Sequence, residues 1–146
     1  MTRPTRTPKR FAQKHGAGAP LSPALRDIVV HKADGGRLSC AVAFKIAIAH
    51  HLSPIEVGRA ADLLELRLVK CQLGLFGYGP GKNVLTPVRS VPEPLKKAIF
   101  QGITDGRLPC KRAWEIAKAH DLHKFKIAAA CNALDVKIGP CQLGAF

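Results

Sequence analysis

One stretch of this chain occurs twice, and that repetition limits the possible folds more than any other feature. "GRLSCAVAFKIAIAHHL" followed by "CQLGLF", from Gly36 to Phe76, returns as "GRLPCKRAWEIAKAHDL" followed by "CQLGAF", from Gly106 to Phe146. No insertion separates the copies, and roughly two positions in five are identical. The shared positions are mainly Gly, Leu, Ala, Cys and aromatic residues, which set turns and cores. The pattern therefore reports a duplicated fold first and a duplicated function second. A chain of 146 residues divided this way leaves modules of about 50–60 residues, near the lower limit for independent stability. The two are expected to pack together and share apolar surface.

The charge is unusual. Lys and Arg number 23 against 10 acidic residues, a formal net charge of +13. That exceeds what solubility requires and favours polyanions, nucleic acid before anionic membrane. Residues 1–20 are rich in Pro, Thr and Gly and carry Arg3, Arg6, Lys9, Arg10 and Lys14 without one acid. They read as a disordered basic arm, although the composition also fits an organelle transit peptide. No apolar run approaches the roughly 18 residues needed to cross a bilayer. No membrane partner is expected. Five cysteines without framework spacing point to free thiols and a cytoplasmic setting.

Beyond the arm, Ser22 and Pro23 form a helix start, cap and first turn, with Leu25, Ile28 and Val29 on one face. Pro92 and Pro94 punctuate the linker to the second copy, where Leu95, Ala98 and Ile99 repeat that face. A second helix is expected from about Ser39 to His51, with Cys40, Ala43, Phe44 and Ala47 on its apolar stripe. A third follows the turn, from about Pro54 to Leu64 and again from Lys124 to Leu134. After it the period changes. Leu66, Leu68, Cys71 and Leu73 alternate with polar neighbours and read as a strand, "GLFGYGPG" as a turn, and "KNVL" as a returning strand.

Helix, short turn, helix and hairpin resemble the helix-turn-helix and winged-helix DNA-binding superfamily. Ala47 fills the small position where two helices cross, Leu52 follows the turn, and Val57 and Ala60 face inward. Ala117, Leu122, Ile127 and Ala130 repeat this set. The turn position usually held by Gly is His51 or Asp121, types that tolerate a left-handed backbone. The expected fold is mainly α with short β-hairpins: two tandem winged-helix-like modules packed as an internal pseudo-dimer. Residues 21–85 form the first module, 86–93 the linker, and 94–146 the second with a truncated wing.

The resemblance implies duplex DNA binding and transcription regulation, with the third helix of each module in the major groove. Its outward residues would be Ser53, Glu56, Arg59 and Asp62 in the first copy, and His123, Lys124, Lys126 and Asn132 in the second. The second set is cationic and includes an Asn able to pair with adenine. Tyr78, Lys82 and Asn83 would come from the first wing, and Arg3, Arg6, Lys9 and Arg10 from the arm. The alternative is a protein-docking module on the same fold, which the acidic residues of the first copy's third helix favour.

Cys40, His50 and Cys71 recur as Cys110, His120 and Cys141. Without a C-x-x-C pair or a fourth ligand in register they read as packing and helix-end residues, a metal or redox site being the minor alternative. His50 and His120 suit helix C-termini. Cys131, in place of Ala61, also suggests packing. No nucleophile–base arrangement, paired carboxylates or phosphate loop is present, so neither enzyme activity nor a cofactor is expected.

Overall fold

A computed structural model describes residues 21–79 and 82–146. The basic arm, with Arg3, Arg6, Lys9 and Arg10, lies outside the described residues. The chain folds as two compact units, the first through Leu68 and the second from Val69 to Phe146.

The first unit contains α1 (Pro23–Lys32), β1 (Arg37–Ser39), α2 (Cys40–Ala49), α3 (Pro54–Leu63) and the start of β2 (Arg67–Val69). Each helix starts where its capping chemistry lies. Ser22 Oγ accepts from the Leu25 amide at 3.5 Å and Ser39 Oγ from the Val42 amide at 3.2 Å. Ser53 and Glu56 form a capping box, the Glu56 carboxylate accepting from the Ser53 amide at 2.8 Å. The ends are equally defined. His51 adopts φ +54°, its amide and that of Leu52 folding back on Ile48 and Ala47. Glu65 does the same at the end of α3, with φ +56°. Both are Schellman-type closures made without glycine. Between α2 and α3 the chain bends through 118°, inside the about 90–120° range of helix-turn-helix pairs. Ala47, Val57 and Ala60 are buried beneath the crossing.

The second unit repeats the plan. It contains α4 (Glu93–Gly102), α5 (Cys110–Ala119) and α6 (Lys124–Ala133). Asp121 takes the left-handed turn position at φ +51°. Ala117, Ile127 and Ala130 are buried as the repeat requires. Leu122 is not, being 38% exposed; its amide closes the helix on the Ala117 carbonyl while its side chain stays partly in solvent.

Among the described residues the expected wings are absent. The strand anticipated over 66–73 shrinks to β2, and it pairs in parallel with β1 rather than with a returning neighbour. The "KNVL" segment carries no strand within its described residues. In the second unit the same parallel pairing is one bridge, Leu108 to Ile138. The local reason is the "CQLG" signature, which closes the chain before a hairpin can extend. The Cys71 amide donates to the Phe76 carbonyl and the Gly74 amide to the Cys71 carbonyl. Cys141, Gly144 and Phe146 repeat both bonds. Gly74 and Gly144 have φ +78° and +79°, a conformation that suits glycine.

The Cys71–Phe76 loop belongs to the second unit, although the repeat assigns it to the first copy. Cys71, Leu73 and Leu85 join Leu95, Ile99, Leu108, Ile127 and Cys131 in one buried cluster. The compact units therefore divide at residue 68, earlier than the repeat boundary at 85, because the loop's apolar residues are buried with the helices that follow. No single helix among the described residues is long and apolar enough to cross a membrane.

Candidate nucleic-acid interface

The cation surplus is not evenly spread. From Val69 to Phe146 there are 12 Lys and Arg against 5 Asp and Glu; from Leu21 to Leu68 there are 6 against 5. The second unit therefore carries most of the excess positive charge of the described structure.

The N-terminal end of α6 gathers most of the relevant chemistry. His123 caps the helix, Nδ1 accepting from the Phe125 amide at 3.1 Å. Its ring meets Phe125 edge-on at 4.8 Å between centroids, and Phe125 meets Tyr78 edge-on at 6.0 Å. Tyr78 is locked in turn, its hydroxyl donating to the Cys71 carbonyl at 2.6 Å. Lys124 Nζ lies 4.5 Å from the centroid of the Trp114 ring and donates to Gln72 Oε1 at 3.4 Å. Lys126 is exposed. Lys82 is exposed, and its amide donates to Gly79 O at 3.2 Å, next to Tyr78.

Of the residues expected from sequence, His123, Lys124 and Lys126 thus all lie at the start of α6, His123 as its cap. Asn132 does not join them. It is exposed near the opposite end of α6, about 12 Å along the axis from Lys124. There it borders one hollow walled by Asn83 and Thr86–Val88 and another walled by Leu75 and Val136–Ile138. Between the ends, Ile127 through Cys131 are all buried. The middle of α6 therefore offers no continuous outward face. Asn83 is also committed, its Oδ1 accepting from the Leu85 amide at 3.0 Å.

In the first unit Asp62, expected on the outward side of α3, is buried at 4% exposure. The Glu56 carboxylate is occupied by the capping box. The two acids counted against this helix therefore do not form an acidic reading face. Arg59 is half-buried.

Sequence reasoning missed Gln72, Phe125 and Trp114. No local signal marks Gln72 or Tyr78 as partners of α6, because these contacts join segments from different copies. No protein-family model matches the chain, and neither a curated protein nor a solved structure is significantly similar to it.

Of the repeated cysteines, Cys71 adjoins this site, its carbonyl accepting from the Tyr78 hydroxyl. Burial pushes the Cys110 thiol above its ordinary value, as do the neighbouring Cys141 and Cys71 to a smaller degree; the Gln142 amide on its sulfur pulls the other way. Cys131 is pushed up by burial to about 12. His50 and His120 are helix C-caps. Among the described residues no group of three His, Cys, Asp or Glu is placed to hold a metal ion.

Thiol labelling at pH 8 should modify Cys141, which is only partly buried, well before Cys131. Cys131 should react only on unfolding, and early labelling of it would contradict the packing described. Because the folded state keeps this thiol neutral, its contribution to stability is complete below pH 9.0 and declines as pH rises toward about 12.

Proposed function

We propose that this protein binds nucleic acid without catalysing a reaction, in keeping with a DNA-binding or transcription-regulating role. The second unit grips the phosphate backbone through the N-terminal end of α6. His123, Lys124 and Lys126 approach the strand there, Lys82 adds charge from the loop, and the basic arm adds phosphate contacts. The observation that carries this reading is the segregation of charge, 12 cations against 5 acids from residue 69 onward. The 118° bend between α2 and α3 supports a helix-turn-helix ancestry and docking on duplex DNA. Two wingless helix-turn-helix modules acting as a pseudo-dimer are the finer form of the proposal. The buried middle of α6 favours phosphate contacts over extended base reading.

The test is a salt titration of affinity for a random duplex. Log affinity should fall linearly and steeply with log salt as counterions are released. A flat dependence, or no binding in low salt, sinks the proposal.

One observation favours the second reading, a docking module. The nearly neutral first unit exposes Val30, Ile48 and Ile55, Ile48 to 76%. Such residues suit a protein partner better than a phosphate. A flat salt dependence would leave this as the better account.

A further inference from the structure

The N-terminal end of α6 carries rings as well as charge, and the rings are held rigidly. Tyr78, Phe125 and His123 form a continuous edge-to-face series, with interplanar angles of 88° and 78°. Each has a fixed position. Tyr78 is tied to the Cys71 carbonyl, Phe125 packs against the Gly74 loop turn, and the His123 ring nitrogen is bonded at the helix start. His123 is exposed, and Phe125 and Tyr78 are partly so. Lys82 and Lys126 are on the surface beside them in sequence, and Lys124 covers Trp114. Duplex phosphates alone would not require this arrangement, since paired bases keep their faces stacked inside the helix.

We propose that the Tyr78–Phe125–His123 series is a stacking platform for unpaired bases, so that the second unit takes single-stranded nucleic acid. The proposal rests on the nucleic-acid reading above and narrows it. Base–aromatic stacking is sequence-tolerant and combines with a cationic track along the backbone. Here the track would be Lys82, Lys124 and Lys126, with the rings between. Because the rings are already ordered, little side-chain entropy is lost when a base arrives.

The full-length protein would be titrated with a 15-nucleotide oligothymidylate and with a 15-base-pair duplex, at the same low salt. Trp114 is the only tryptophan and lies under Lys124, so its fluorescence reports directly on this end of α6. The single strand should alter Trp114 emission. His123→Ala should weaken single-strand binding about fivefold or more, a larger factor than its effect on duplex affinity. Phe125→Leu keeps an apolar side chain in the partly buried site and should act in the same direction, with folding checked by circular dichroism. If both variants bind the single strand as the parent does, the platform is overturned, yet salt-sensitive binding would still uphold the broader reading. If neither nucleic acid binds, both proposals fall.

Discussion

Replacing Leu73 by alanine is expected to destabilise the protein by about 3 kcal/mol, the usual cost of truncating a buried leucine. Leu73 is 0% exposed and belongs to the cluster formed with Leu95, Ile99, Leu108 and Ile127. The loop around it is closed at both ends by backbone bonds, so it cannot easily collapse into the space left behind. Gly74 restricts relaxation further: a β-carbon there would approach Leu85 Cδ2 to 2.8 Å. Urea denaturation of Leu73→Ala, followed through Trp114, measures the loss. Ile127→Ala, from α6 itself, should cost a similar amount. A loss below about 1 kcal/mol for Leu73→Ala, against a large one for Ile127→Ala, would show that the loop is an accessory to the second unit rather than part of its core.

Reversing charge at the start of α6 should reduce nucleic-acid affinity roughly hundredfold in low salt for the Lys124→Glu, Lys126→Glu double variant, about tenfold for each phosphate deprived of its cation. The two lysines should separate in stability. Lys126 is exposed, so Lys126→Glu should weaken binding with an unchanged melting temperature. Lys124 covers the Trp114 ring and bonds Gln72. Its reversal should weaken binding and lower stability by about 1 kcal/mol, the scale of a partly desolvated cation–π contact. Arg59→Ala, in the first unit, should have a smaller effect on affinity. Affinity by fluorescence anisotropy and thermal melts of the same samples check each part. Equal weakening at Arg59 and at the α6 lysines would contradict the assignment of the interface to the second unit.

These experiments bear on a site whose halves come from different copies. Lys124 and Phe125 belong to the second copy, while Gln72 and Tyr78 belong to the first. The helices were legible because their signals are local. Ser22, Ser39 and Ser53 mark helix starts, Pro23 and Pro54 occupy first-turn positions, and the apolar stripes fall at helical spacing. The left-handed turn positions His51 and Asp121 were legible for the same reason. The hairpin was misread because Leu66, Leu68, Cys71 and Leu73 alternate as a strand does. The alternation instead serves a three-residue parallel pairing followed by a closed loop that buries Leu73. Periodicity cannot distinguish these outcomes, since both bury every second residue.

The sequence by itself determined the duplication, the order and ends of the helices, and the excess of positive charge, all of which depend on neighbours along the chain. Tertiary structure alone decided that the first copy's Cys71–Phe76 loop completes the second unit's core, that Asp62 is buried, and that the middle of α6 is covered. It also decided that Lys124 meets Trp114 and Gln72 while Asn132 stands apart. The physical reason is that burial and side-chain contact depend on which distant segments meet, and two similar copies supply equivalent apolar partners that no local pattern can tell apart.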